Sequence, residues 1–308
     1  MITLQQIIYA LKIAECGSMN KAAEELFVAQ PTLTNAVHQL ENEVNMQLFV
    51  RTPKGIIITR EGGHFLDDAR QFYNQYQLLS ETYSGNEKKR TFSLSTQHFS
   101  FAVKCFVNTL IKLGYENYKF SVYETRTLDV IQNVGKSISD IGVLYLSKFN
   151  QKYIRKLLEE YNLEFTTITK CDACVYLHKN HPLAKLREIS LSDLENYPCL
   201  SFDQGEDNLF YLSEEILTEN EFARTVKASD RATMLNLMIG LNGYTLCPGI
   251  VEEALNGDNC VIVPYKEDEN NPNREMEIGY INKKNGLLSK ASEVYISQLN
   301  DYFKNKNQ

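Results

Sequence analysis

The first residues in this chain whose types and spacing could do chemistry lie between positions 30 and 42. Pro31, Asn35, His38 and Asn42 recur on one side of a helical period, flanked by Thr32, Thr34 and Gln39. Leu33, Val37, Leu40 and Val44 fall opposite, as one apolar face. The outward positions hold one histidine and no acid, and short amides and hydroxyls of this kind hydrogen-bond base edges and phosphates. Thr32 and Asn35 suit base edges, and Asn35 can pair bidentately with adenine, worth about 1–3 kcal/mol of discrimination. Gln30 and Thr34 suit phosphate in part, and His38 serves either as a further contact or as a solvated face residue. A small helical subdomain with no ligand would carry the same periodicity.

Other chemistry finds little support. Cys171 and Cys174 have CxxC spacing in a strand-like stretch, where residues three apart point to opposite faces, and no second CxxC accompanies them. His178 and His181 are similarly isolated. No glycine-rich phosphate loop or nucleophile elbow occurs, so no enzyme activity, cofactor or metal is expected. Seven scattered cysteines fit reduced thiols, with redox sensing by one of them left open.

The polar face needs elements to hold it. Leu4, Ile7, Ile8, Leu11 and Ala14 have helical spacing, and Cys16-Gly17 ends that helix. Ser18 is a plausible N-cap for a second helix, and Pro31 suits the first position of a third. Two short strands follow at 48–51 and 56–59 around a turn at 52–55, with Arg51 and Lys54 placed for phosphate or the minor groove. Helices meeting at a short turn and followed by a hairpin form the pattern of a winged helix-turn-helix. An internal salt bridge is the alternative for Arg51.

Phe65, Ala69, Phe72, Tyr76, Leu79 and Tyr83 are spaced 4-3-4-3-4 along a helix expected over 61–84, about 36 Å long at 1.5 Å per residue. Such a seam packs on its own chain or on a partner's, and pairing between two subunits is the favoured account. Polar residues 84–90 read as a hinge. From 91 strands and helices alternate, which predicts an α/β architecture. The 308 residues suffice for two or three compact domains of ordinary globular composition. A formal net charge of −7 excludes a general polyanion binder. Residues 1–90 hold 9 basic and 10 acidic side chains, so the acidic surplus lies mainly beyond them. No secretory signal and no membrane span are expected, and the cytoplasm is the expected location.

The runs 18–26, 29–34, 40–41, 48–51 and 59–62 closely resemble the DNA-binding region of LysR-type transcriptional regulators. His181-Pro182-Leu183-Ala184, Ser192-Asp193-Leu194 and 243–248 fit the effector domain of that family in order and spacing. The resemblance implies an α/β multi-domain protein: a winged helix-turn-helix over 1–60, a dimerising linker helix and hinge over 61–90, and a two-lobed effector domain like periplasmic binding proteins. Its first lobe would take 91–162 plus 267–308, and its second 163–266. The implied partners are double-stranded DNA, a small-molecule effector, RNA polymerase and further copies of the chain, as a homodimer or homotetramer. Ser18, Gln30, Pro31, Thr32, Thr34, Asn35, His38, Arg51 and Lys54 would then form the DNA-binding set.

Ligands of two-lobed α/β sensors sit beyond strand C-termini, where helix N-termini offer free N–H groups. Three candidate points follow: Thr96, Gln97, His98 and Ser100; Thr125 and Arg126; and Ser201, Phe202 and Asp203 with Ser229 and Asp230. Helix N-termini together with Arg126 and His98 point to a small anion or carboxylate. Ordinary helix capping is the alternative for each Ser, Thr and Asp.

Overall fold

The computed structural model describes residues 1–52, 55–83, 90–205, 210–216, 222–250, 259–266 and 275–306. The chain divides into two compact units, Met1–Lys88 and Lys89–Gln308.

In the first unit, α1 (Leu4–Cys16) opens with a reciprocal cap between Thr3 and Gln6, and stops where Gly17 turns left-handed at φ 61°. Ser18 caps α2 (Met19–Glu25), as the sequence indicates. Phe27 then takes φ 55° and turns the chain into α3 (Gln30–Val44), with Pro31 in its first turn. Leu33, Val37 and Leu40 are buried with Ala10, Ile13 and Ala22, so the apolar faces of three helices close one core. β1 (Phe49–Thr52) and β2 (Gly55–Ile58) pair antiparallel, Thr52 opposite Gly55. The Ile56 N–H donates to the Gly17 carbonyl, which ties this hairpin to the end of α1. Lys54 lies outside the described residues.

The helix α4 runs Arg60–Tyr83. Its N-terminal half adds Leu66 and Phe65 to the same core. Ala69 is buried, whereas Phe72, Tyr76 and Leu79 are 53, 42 and 60% exposed. Among the described side chains of the heptad seam, those at its start are covered by their own chain and Phe72, Tyr76 and Leu79 are not. The Tyr83 side chain and the hinge 84–89 lie outside the described residues.

The second unit holds two five-stranded sheets. The first has the order β4 (Tyr118–Glu124), β3 (Arg90–Thr96), β5 (Ile141–Ser147), β12 (Glu275–Lys283), β6 (Leu163–Asp172). β3 is parallel to β4 and β5, and β12 is antiparallel to β5 and β6. Every residue of β5 is buried, as a central strand covered on both faces requires. Helices α5 (Ser100–Leu113), α6 (Thr127–Gly135) and α7 (Gln151–Glu160) connect its strands, and α10 (Lys290–Lys306) packs on α5. The second sheet has the order β11 (Cys260–Pro264), β7 (Cys174–His178), β10 (Tyr244–Cys247), β8 (Cys199–Phe202), β9 (Thr225–Ala228). It carries α8 (Leu191–Leu194) and α9 (Arg231–Leu241).

The chain crosses between sheets at Ala173 and returns between β11 and β12. This corrects two expectations. Residues 163–172, placed in the second lobe by sequence, form an edge strand of the first sheet, because β6 pairs along β12 from Asp172 opposite Glu275 to Leu163 opposite Lys283. Cys171 and Cys174 accordingly do not share a strand; they end and begin strands of different sheets on either side of the crossing.

Candidate DNA-binding face and interlobe cleft

Burial of the apolar side of α3 turns its other side outward. Pro31, Thr32, Asn35, His38, Gln39 and Asn42 are all exposed. Thr34 is half-buried at the joint between α3 and the hairpin. Its hydroxyl accepts from Gln30 Nε2 at 2.8 Å and from Arg51 at 3.1 Å. Arg51 is thus latched to the polar face of α3 by a hydroxyl and not by the acidic partner considered from sequence. Glu41, not singled out earlier, accepts the N–H groups of Leu48 and Phe49 at 2.8 and 3.1 Å, fixing where β1 begins. It also lies 3.6 Å from His38 Nδ1. Ser18 is occupied as a helix cap. Ala29 offers α3 no side-chain cap, which leaves N–H groups at the positive end of its dipole.

In the second unit, a cavity of about 80 Å³ lies between the two sheets. His98, Phe99 and Ser100 face it from the first sheet, and Tyr176, Phe202, Thr245 and Leu246 from the second. Of the effector residues expected from sequence, His98, Ser100 and Phe202 line it. The His98 ring stacks on Phe202 with centroids 3.8 Å apart, and its Nδ1 lies 2.9 Å from Glu214. Both members of that pair are more than nine-tenths buried. Arg126 and Asp203 meet across the cleft at 2.8 Å. A second cross-cleft ion pair joins Glu124 to Arg231, neither of them anticipated.

The remaining expected residues do other work. Gln97 is fully buried and extends the sheet: its Oε1 accepts from the Tyr145 N–H and its Nε2 donates to Thr127. Thr96 is buried behind it, and Thr125 donates to Asp129. Asp230 caps α9 by accepting from the Thr233 N–H and hydroxyl, which holds its carboxyl below the usual carboxylate range. Ser201 and Ser229 are not among the cavity's lining residues.

The residues missed by sequence reasoning sit mostly on the segment after β8. Gln204 accepts the Thr127 N–H at 3.1 Å and donates to Glu214 at 3.0 Å. Glu214 also accepts the His98 N–H at 2.8 Å. Glu215 accepts the Phe202 N–H, and burial together with the neighbouring Glu214 pushes its carboxyl up to about 8. No motif marks these residues, because they meet His98 only through the fold.

The thiols are poorly placed for thiolate chemistry. Burial pushes Cys171, Cys199 and Cys247 up to about 12 and raises Cys174 and Cys260 as well. His181 accepts the Leu183 N–H at Nδ1 and donates from Nε2 to the Asn242 carbonyl, a structural role.

The family model described as bacterial regulatory helix-turn-helix protein, lysR family, matches residues 4–63. The LysR substrate binding domain model matches 112–304. The chain belongs to the LysR family of transcriptional regulators. It joins a helix-turn-helix DNA-binding region to a substrate-binding domain of mixed α/β sheets. Among curated relatives of this LysR-type chain, the uncharacterized HTH-type transcriptional regulator YbhD of Escherichia coli K12 is 22% identical over 292 residues, covering 93% of this chain and 87% of that one. Among solved structures, a full-length OxyR variant from Pseudomonas aeruginosa superposes with a TM-score of 0.69 at 16% identity, covering 97% of this chain and 95% of that one. Full-length CbnR complexed with its target DNA gives 0.54 at 14%, covering 97 and 99%. At these identities the superpositions speak for the fold. Among the described residues no helix is long and apolar enough to cross a membrane.

Proposed function

We propose that α3 lies in the major groove, with Thr32 and Asn35 at base edges and Gln30, Pro31, Thr34 and His38 beside them. Arg51 and Lys54 contact the phosphate backbone or minor groove, and Ser18 contributes at the start of α2. The observation that carries this reading is the exposed, acid-free row of α3, joined to Arg51 through the Thr34 hydroxyl. A similar fold in the CbnR structure is bound to DNA, which supports the same use of this unit. The exposed Phe72, Tyr76 and Leu79, with Ala69 and Phe65 at the start and Tyr83 at the end of the seam, pair two subunits through α4. The chain works as this dimer or as a tetramer of two such dimers, and acts with RNA polymerase in the cytoplasm.

A small effector in the interlobe cleft shifts the opening of the two lobes and so the spacing of paired DNA-binding units, altering DNA bending. Electrophoretic mobility shift on DNA flanking its own gene tests the core of this reading, with salt-sensitive retention expected. Absence of retention by folded protein on any such fragment would count decisively against it. Asn35→Ala is expected to relax preference at one base position, about 1–3 kcal/mol, while dimerisation stays intact.

A further inference from the structure

The sequence suggests an anionic effector, but three of the anion positions of the cleft are filled by the protein itself. At the start of α5 the His98 N–H is taken by Glu214. At the start of α6 the Thr127 N–H is taken by Gln204, and at the start of α9 the Thr233 N–H by Asp230. Among the described residues, basic side chains of the cleft carry acids as well: His98 with Glu214, Arg126 with Asp203, Arg231 with Glu124. Two groups on the cavity wall that can accept a hydrogen bond have no partner among the described residues, the Tyr176 hydroxyl and one oxygen of Glu215. Glu215 lines the cavity and is 4% exposed; one carboxyl oxygen accepts from Phe202, and the other has no hydrogen-bond partner among the described residues. The rest of the wall is largely apolar, with Phe99, Met234, Leu246 and Ile250. About 80 Å³ is roughly half the cavity that takes a benzene ring, so a short alkyl group fits.

The geometry points to a small alkylamine, bound as its ammonium ion with the nitrogen donating to Glu215 and the alkyl part against the apolar wall. This rests on the reading of the cleft as the effector site. The groups facing Glu215 are Glu214, Cys199 and, acting at a distance, Lys227, with His98 and Arg231 on the same cavity. Burial and Glu214 hold the empty Glu215 protonated near neutral pH, so the ammonium ion displaces a proton from its carboxyl as it binds.

The test is titration calorimetry of the full chain with ethylammonium chloride and, in parallel, sodium acetate, each in two buffers of different ionisation enthalpy. Ethylammonium is expected to bind at least about tenfold more tightly than acetate. It should release up to one proton per site near pH 7, and its affinity should rise toward pH 8. Glu215→Gln should lose about tenfold of the ethylammonium affinity together with the proton release. Should that variant fail to fold, proton release by the unmodified chain still decides. Tighter binding of acetate, or ethylammonium binding without proton release, would overturn the amine assignment while leaving the cleft an effector site. Binding of neither probe would overturn the amine assignment. Separately, loss of DNA retention control by every small molecule tried would remove the effector reading itself.

Discussion

At the scale of single residues, side chains that do one job must be separated from those that do another. The sequence suggests Thr34 at phosphate in part; in the fold its hydroxyl holds the Gln30 and Arg51 side chains in place. Gln97 looks like a ligand contact beyond a strand, but it continues the ladder into Tyr145 and Thr127. Ser18, read as an N-cap, caps α2, whereas Asp230, expected in the effector set with capping as the alternative, caps α9. Phe27 carries a cost. It is 95% exposed at φ 55°, a conformation disfavoured by about 1–2 kcal/mol for residues with a Cβ and tolerated by Asn. Phe27→Asn is therefore expected to raise unfolding free energy by roughly 1 kcal/mol, read from the urea midpoint at constant slope. An unchanged or lower midpoint would mean that the turn is held by something other than backbone preference.

At the scale of elements, the hairpin and α4 are the informative cases. The hairpin holds its position because Ile56 bonds to the Gly17 carbonyl, and Gly55 makes that approach possible. Gly55 has φ 126°, and a Cβ there would stand 2.9 Å from the Gly17 oxygen. Gly55→Ala should cost about 1–3 kcal/mol in urea unfolding and weaken DNA retention, since the hairpin carries Arg51. The turn signal at 52–55 was readable from sequence; the contact with Gly17 was not, because it joins residues far apart in the chain. For α4 the heptad spacing was readable, but not which part its own chain covers. With Leu79 at 60% exposure, Leu79→Glu is expected to shift the chain toward monomer in sedimentation velocity without lowering the thermal midpoint of the first unit. An unaltered oligomer would place the subunit contact elsewhere.

At the scale of the whole molecule, charge and titration set the behaviour. Residues 1–90 are close to neutral, with 9 basic and 10 acidic side chains, so their positive groups act by placement and non-specific DNA affinity should be modest. In the second unit the buried Glu215 sets a pH dependence. Its folded carboxyl titrates at about 8 against an ordinary value of 4.5. The folded state binds the proton more tightly, so this stability is fully present below about pH 4.5. It is lost as pH rises toward 8, at about 1.4 kcal/mol for each tenfold in proton affinity. Glu215→Gln, which stays neutral, should melt higher than the unmodified chain at pH 8 and converge with it near pH 5, as followed by calorimetry. Equal melting temperatures at both pH values would show that Glu215 is not held protonated.

The sequence by itself determined the class of fold, the family, the outward row of α3 and the periodic seam of α4. Each of these is written in residues close together in the chain, where helical spacing, capping and turn chemistry act locally. It also determined that His98, Arg126, Phe202 and Asp203 lie where strands end. Only the tertiary structure decided what those residues meet. Glu214, Glu215 and Gln204 reach the cleft on the segment after β8, and Glu124 at the end of β4 meets Arg231 at the start of α9 across it. It also decided that β6 belongs to the first sheet, through its register with a strand more than a hundred residues later. Strand pairing and ion pairing over such separations depend on the whole packed arrangement, and no local pattern encodes the sign of the charge a cleft leaves unmet.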